Sequence, residues 1–280
     1  MQKLQKVIFL LFLSLSVNLQ SQEKAFEVVV KGQGEPILLF PGFTCTGAVW
    51  DDTVRELSKT YECHIFTFAG FGGVAPIEKP WLPKIKQAIT DYVTEKELKD
   101  PVIIGHSLGG TLGLWLASEG EHGYSKVIVV DALASTGALM MPNFKSEDMV
   151  YDNPFNNQLL SMDEVAFSKM ADQMAAGMSL NKGKQAQIRD WMVMSDRETY
   201  VYGYTDLLRL DLRESVANIT IPVIILAATH PYGEEMAKNT YTEQYKNLTD
   251  YELLFAENSA HFIMYDRPEW FLNTLKEKLQ

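Results

Sequence analysis

A glycine-rich turn between an apolar run and a helical segment constrains this 280-residue chain more than any other feature. Residues 105–110 read Gly-His-Ser-Leu-Gly-Gly. This is the pattern Gly-x-Ser-x-Gly at a strand-to-helix junction. Because glycine has no Cβ, Gly105 and Gly109 let the chain turn sharply and hold Ser107 in a strained conformation with its hydroxyl exposed. Ser107 is therefore the candidate nucleophile, and the positive end of the next helix dipole points at it.

The composition allows one packed core of ordinary size and excludes one class of partner. The chain is 46% hydrophobic and 22% charged, with a formal net charge of -11 and a pI of about 5.0. Nucleic-acid binding is not expected, because contacts with phosphate require basic patches and the sequence has none. Beyond this, the acidity indicates only solubility.

The N-terminal segment, residues 1–21, has the order of a secretory signal peptide. Lys3 and Lys6 precede the apolar stretch Val7–Leu15, and polar residues follow at Asn18–Gln22. The apolar stretch is shorter than the roughly 20 residues that a transmembrane helix requires. We therefore expect cleavage and an exported protein, periplasmic or secreted, with no stable membrane anchor; the alternative is an uncleaved amphipathic start.

Apolar, β-branched runs alternate with helical periodicities along the rest of the chain. Strands are predicted for the runs Ala25–Val30, Pro36–Phe40, Cys63–Phe68, Val102–Ile104, Lys126–Asp131, Pro222–Ala227 and Tyr251–Phe255. The glycines at 32 and 34 predict a turn or a hairpin between the first two strands. Helices are predicted over Val49–Ser58, over Trp81–Val93 and from Pro268 onward. This alternation predicts an α/β fold, a mostly parallel sheet flanked by helices on both faces.

The stretch 134–216 interrupts the alternation. It contains no convincing strand, is typical of several helices, and holds nine of the 12 methionines, at positions 140, 141, 149, 162, 170, 174, 178, 192 and 194. Because it lies between two predicted strands, we interpret it as a helical cap, or lid, inserted into a core formed by 22–133 and 217–280. Methionine adapts to irregular apolar shapes, so the cluster predicts either a ligand pocket in the cap or ordinary helical core.

A serine hydroxyl needs a base to remove its proton, and the base needs an orienting acid. Of the five histidines, His261 is the candidate base, because it lies in the loop between the last predicted strand and the closing helix. From that loop an imidazole can reach over the turn that carries Ser107. His106 lies inside the turn, but strand alternation points its side chain away from Ser107. His64 lies within a strand and His122 at a helix end.

Two positions are open for the orienting acid. The commonest arrangement places it after the strand Pro222–Ala227, where the loop holds Glu234 and Glu235 but no Asp. Asp131 instead ends the preceding sheet strand, and a carboxylate there is costly to bury without a partner such as an imidazolium. We choose Asp131, with Glu234 or Glu235 as the alternative.

A tetrahedral intermediate needs two N–H donors for its oxyanion. The backbone N–H of Leu108, at the start of the helix after the turn, is the first candidate. The loop after the second strand supplies the other, because Gly42 lets the backbone approach and the N–H of Phe43 would point at the oxyanion. These groups require no metal or organic cofactor.

With these residues in place, the chain resembles the α/β-hydrolase superfamily, in its serine-nucleophile branch, over nearly all of its length after the N-terminal segment. The resemblance rests on residues 32–43, 68–73, 105–110 and 259–270. It implies the α/β-hydrolase fold, with a helical cap inserted after the sixth strand of that fold. It also implies a triad of the serine, the candidate histidine and an acid.

The resemblance supports one candidate for the acid, and this sequence departs from the family pattern at two positions. Some members, such as certain dehalogenases, take their acid from the end of the sixth strand, which matches Asp131. Pro41 stands where a histidine usually precedes the oxyanion glycine. The Asp usual after the seventh strand is missing.

A serine nucleophile in this fold implies acyl transfer, and we expect hydrolysis of a small to medium apolar carboxylic ester through an acyl-enzyme. Alternatives on the same triad are a lactonase, an amidase, a thioesterase, a C–C bond hydrolase and an acyltransferase. From a different class, the chain could be a non-catalytic ligand-binding homologue, since a fold does not fix a function. The expected partner is a small ester-like molecule, and the sequence is silent about oligomeric state.

Overall fold

We describe the protein from a computed structural model, which covers residues 24–120, 123–141 and 143–280. The predicted signal peptide at 1–21 and the residue His122 lie outside the described residues. Within the described ranges, no helix is long and apolar enough to cross a membrane.

A seven-stranded sheet forms the centre of the described chain, in the order β1-β3-β2-β4-β5-β6-β7. The strands are β1 (Phe26–Lys31), β2 (Glu35–Phe40), β3 (Tyr61–Phe68), β4 (Val102–His106), β5 (Lys126–Val130), β6 (Val223–Ala228) and β7 (Tyr251–Ala256). The pair β1 and β3 is antiparallel, and every other neighbouring pair is parallel. The predicted mostly parallel sheet is confirmed.

The turn predicted at Gly32 and Gly34 is present, but the hairpin is not. Both glycines have positive φ, 87° and 128°, which suits a turn. The two strands that flank the turn do not pair, because β3 lies between them in the sheet. Phe26 of β1 is opposite Phe68 of β3 instead. A turn between two strands in the sequence does not determine which strand will lie next to each of them in the sheet.

Helices cover both faces of the sheet, as predicted. The core helices are α1 (Asp51–Leu57), α2 (Trp81–Glu95), α3 (Leu108–Glu119), α9 (Glu234–Gln244), α10 (Ile263–Asp266) and α11 (Pro268–Lys278). Alternation along β2 separates two apolar clusters: Leu38 and Phe40 pack with α2, α3 and α9, whereas Ile37 and Leu39 pack with α1 and α11. All four side chains are fully buried, which is typical of a strand covered on both faces.

Among the described residues between β5 and β6 there are five α-helices. They are α4 (Thr136–Met140), α5 (Pro154–Ser161), α6 (Glu164–Met178), α7 (Lys182–Val193) and α8 (Arg197–Arg209). The described residues contain seven strands, so the strand that the resemblance counts as the sixth is the fifth along this chain. The domain limits at 134 and 216 stay a prediction.

A buried carboxylate joins these helices to the core. Asp206, on α8, accepts hydrogen bonds from the backbone N–H groups of Trp81 at 2.6 Å and of Leu82 at 3.0 Å. Its other oxygen accepts the hydroxyl of Tyr151 at 2.5 Å. The first N–H groups of a helix have no intrahelical acceptor and favour a negative charge. Asp206 therefore fixes α8 to the beginning of α2.

Candidate active site

The chain passes from β4 into α3 at Ser107, which has φ 52° and ψ -121°. Such a conformation is strained for a residue with a side chain. The flanking glycines are required by space rather than by backbone angle, since neither has a positive φ. A Cβ on Gly105 would collide with the carbonyl of Gly109, and a Cβ on Gly109 would collide with the carbonyl of Phe40. The predicted sharp turn therefore depends on close backbone contact on both sides of Ser107.

His261 and Asp131 form a direct pair. Nδ1 of His261 lies 2.6 Å from Oδ2 of Asp131. The other oxygen of Asp131 accepts the backbone N–H of Ala228 at 2.7 Å and the hydroxyl of Tyr241 at 2.8 Å. Burial would raise the pKa of Asp131, but the hydrogen bond and charge of His261, with the other two donors, lower that pKa below its ordinary value. Asp131 is therefore an ionised carboxylate that orients the imidazole.

Ser107, His261, Asp131 and Phe43 all line one cavity of about 690 Å³. Gly42 lies against the turn, because a Cβ placed on it would be 3.4 Å from the Cβ of Ser107. The structure thus brings the predicted nucleophile, base, acid and oxyanion loop to the same place.

Leu108, the second predicted oxyanion donor, is the first residue of α3. An N–H at that position has no intrahelical acceptor and remains available. The oxyanion roles of Phe43 and Leu108 stay predictions, since they concern a reaction intermediate.

The two alternative acids lie elsewhere. Glu234 and Glu235 are exposed in the first turn of α9. Neither is among the residues that line the cavity. The imidazole of His261 contacts Asp131 instead, so the geometry favours the acid at the end of β5.

Sequence reasoning missed a role for His106. Its side chain is buried, and its Nε2 lies 3.0 Å from the backbone carbonyl oxygen of His261. A carbonyl only accepts hydrogen bonds, so Nε2 carries the proton. Burial, together with the charge of His261, lowers the pKa of His106 to about 3. His106 is therefore a neutral donor that holds the backbone of the candidate base, and no local signal reveals a contact between residues so far apart in sequence.

Asp266 is a second support that the sequence did not reveal. It accepts the backbone N–H of Ala260, the residue before His261, at 2.8 Å. It also accepts the hydroxyl of Ser179 at 2.6 Å and the N–H of Leu180 at 2.9 Å, both in the turn between α6 and α7. One carboxylate therefore ties the loop of the candidate base to the helices above the sheet.

The helices between β5 and β6 supply part of the apolar wall of the cavity. Three of the nine methionines predicted as a cluster, Met174, Met178 and Met192, line it. Tyr200 and Tyr204 of α8 line it as well. Among the described residues that line the cavity, none is Lys or Arg. The described lining therefore combines apolar side chains with hydroxyl and imidazole groups.

Comparison with known proteins identifies the family of the chain. The sequence profile of the Alpha/beta hydrolase family matches residues 37–274. Among curated relatives, the chain is 24% identical over 201 residues to pimeloyl-[acyl-carrier protein] methyl ester esterase of Vibrio cholerae, which covers 70% of this chain and 76% of that protein. It is 21% identical over 257 residues to 3-oxoadipate enol-lactonase 1 of Acinetobacter baylyi, which covers 90% of this chain and 91% of that protein.

Solved structures show the same fold. The enol-lactonase of Burkholderia xenovorans superposes with a TM-score of 0.76 at 17% identity, over 91% of this chain and 96% of that chain. A thermophilic esterase of Thermogutta terrifontis superposes with a TM-score of 0.75 at 15% identity, over 91% and 92%. The predicted α/β-hydrolase fold is confirmed. This chain belongs to the alpha/beta hydrolase family and is a hydrolase.

The buried neutral state of His106 predicts a pH dependence of folding stability. The folded pKa, about 3, lies below the ordinary value of 6.5, so the unfolded chain binds more protons between these values. The contribution is fully present above pH 6.5 and is lost as the pH falls toward 3. The variant His106→Gln keeps a hydrogen-bond donor but cannot take up a proton. When the pH is lowered from 6.5 to about 4, we expect its free energy of unfolding, measured by urea titration, to fall by about 3 kcal/mol less than that of the wild type.

The matched control is His230→Gln, since His230 is exposed. We expect this variant to follow the wild type across the same range. Asp131 also has a lowered pKa, but its contribution is lost only below its ordinary value of 3.8, outside the window. Equal slopes for His106→Gln and the wild type would contradict a buried neutral His106.

Proposed function

We propose that this protein is a serine hydrolase that cleaves a small to medium, uncharged apolar carboxylic ester through an acyl-enzyme. The observation that carries the proposal is the 2.6 Å contact between His261 Nδ1 and Asp131 Oδ2 beside a cavity that Ser107 also lines. With Nδ1 engaged, Nε2 is the nitrogen of His261 that can act as a base. The strained backbone of Ser107 and the helix that begins directly after it support a nucleophile at this position.

In the proposed reaction, Nε2 of His261 takes the hydroxyl proton of Ser107 while Oγ bonds to the carbonyl carbon of the ester. The N–H groups of Phe43 and Leu108 stabilise the oxyanion. The carbonyl re-forms, the bond to the alcohol oxygen breaks, and His261 gives its proton to that oxygen. Water, deprotonated by His261, then attacks the carbonyl carbon of the acyl group on Ser107. The bond from that carbon to Oγ breaks, His261 returns the proton to Oγ, and the carboxylic acid leaves.

The lining of the cavity supports an uncharged substrate. Its volume, about 690 Å³, lies in the range typical of sites for small molecules. Asp131 is already paired with His261, and no lysine or arginine stands among the described lining residues. A substrate carboxylate would lose its hydration without gaining an ion pair, which is costly.

Lactone hydrolysis is the second candidate. A lactone is a cyclic ester, so the same nucleophile, base and oxyanion donors act on it. The specific support is the match to 3-oxoadipate enol-lactonase 1 of Acinetobacter baylyi over 90% of this chain.

We also propose that the enzyme acts outside the cytoplasm. The support is the order of residues 1–21, in which Lys3 and Lys6 precede an apolar stretch and a polar region.

The proposal predicts a reactive serine. We expect the wild type to hydrolyse p-nitrophenyl acetate and butyrate and to be labelled by a fluorophosphonate at Ser107. Ser107→Ala removes the nucleophile, so kcat should fall by at least about 10⁴-fold and the label should disappear. Ser161→Ala, which removes an exposed hydroxyl on α5, is the matched control and should keep both. If the wild type showed neither turnover nor labelling, the proposed serine hydrolase activity would be refuted. If transfer of the acyl group to an added alcohol outcompeted hydrolysis, the protein would be an acyltransferase.

A second prediction concerns the acid. Asp131→Asn keeps the shape but removes the charge that orients His261, so kcat should fall roughly 10³- to 10⁴-fold with little change in KM. Glu234→Gln and Glu235→Gln make the same chemical change on the exposed turn of α9 and should stay within about twofold of the wild type. Steady-state kinetics on p-nitrophenyl butyrate measures all three. A large loss confined to a glutamate variant would place the acid after β6.

A further inference from the structure

One face of α6 runs from the interior toward the cavity. Phe167, Met170, Met174 and Gly177 recur at intervals of three and four residues, so they share that face. The Phe167 ring lies 5.1 Å from the ring of Tyr200, and Met174 Sδ accepts the Tyr200 hydroxyl at 3.6 Å. The next position on this face, Gly177, lines the cavity. This face therefore presents a large side chain, Met174, to the cavity and then a residue with no side chain, Gly177.

Neither backbone nor packing explains this glycine. Gly177 has no positive φ, so its backbone conformation does not require glycine. A Cβ added to it would meet no heavy atom of the described chain within 4 Å. Glycine also lowers the stability of a helix relative to alanine. Gly177 is exposed and also lines the cavity, so the space that it leaves lies where the cavity opens to solvent along this wall.

The side chains around this space are apolar and mostly flexible. Met174 and Met178 of α6 line the same cavity as Gly177, and so do Ile188 and Met192 of α7. Methionine adapts its shape to an unbranched alkyl chain. The turn between the two helices is fixed to the loop of His261 by Asp266, so the opening keeps its place relative to the base.

We propose that Gly177 is a specificity-determining residue that admits an unbranched, uncharged acyl chain longer than butyryl. The chain lies along the α6–α7 wall, in the space that a side chain at 177 would fill. This proposal rests on the proposed ester-cleaving function of the same cavity. It adds the acyl group that the site accepts and the residue that sets its length.

The experiment compares kcat/KM for p-nitrophenyl acetate and p-nitrophenyl octanoate in the wild type and in Gly177→Leu. We expect acetyl to be too short to contact a side chain at 177, so kcat/KM for acetate should stay within about twofold of the wild type. Leucine displaces several methylenes of octanoyl, and each displaced methylene weakens binding about fourfold, so kcat/KM for octanoate should fall roughly 50-fold. Ala176→Leu adds a similar side chain to an adjacent exposed position outside the cavity lining, and both substrates should be unaffected.

Gly177→Ala keeps the test decisive if leucine disturbs the fold. It adds one carbon, favours the helix, and should lower the ratio of octanoate to acetate kcat/KM about two- to fourfold while leaving Tm unchanged or higher. If the ratio of octanoate to acetate kcat/KM in Gly177→Ala equals that of the wild type, the proposed role of Gly177 is overturned. The same holds for a Gly177→Leu variant that retains acetate activity, and neither result affects the proposed ester hydrolysis. A wild type that hydrolyses neither ester instead refutes the proposed function on which that role rests.

Discussion

The hydrogen bond between His261 Nδ1 and Asp131 Oδ2 is the interaction on which the rest of the site depends. It joins the end of β5 to the loop after β7, two strands separated in the sheet by β6. The intervening strand takes part, because Ala228 of β6 donates its N–H to the same carboxylate. Tyr241 of α9 completes the set of donors. A carboxylate with three donors stays ionised although it is buried, and only an ionised carboxylate holds an imidazole in one orientation.

The candidate base is also held from its backbone side. His106 donates to the carbonyl of His261, and Asp266 accepts the N–H of Ala260 just before it. Asp266 in turn holds the α6–α7 turn, while Asp206 holds α8 to the beginning of α2. Two carboxylates therefore connect the helices above the sheet to the core. The α6–α7 turn and the loop of the candidate base are therefore held by the same carboxylate, Asp266.

The sequence predicted the features that depend on local chemistry. The sharp turn at Ser107 needs glycines on both sides, and such a requirement is visible in six consecutive residues. The strands are apolar runs bounded by turns, so they were predicted to within one or two residues of their limits. The choice of Asp131 over the glutamates also followed from a local argument, the cost of burying a charge at a strand end.

What the sequence did not predict depends on contacts between distant segments. The pairing of β1 with β3 is decided by the whole sheet rather than by the turn at Gly32. The contact of His106 with His261 spans 155 positions. The positions of individual methionines also depend on packing. Met174, Met178 and Met192 line the cavity whereas Met194 is exposed, and the sequence alone does not distinguish them.

The most direct measurement of the central claim is proton NMR of the resting enzyme, which reports the proton on His261 Nδ1 as a far-downfield signal when it is strongly hydrogen-bonded. The account predicts that signal in the wild type, its retention in a Glu234→Gln Glu235→Gln double variant, and its loss in Asp131→Asn. A signal that persists in Asp131→Asn, or that disappears when the two glutamates are replaced, would contradict the claim that Asp131 orients the candidate base.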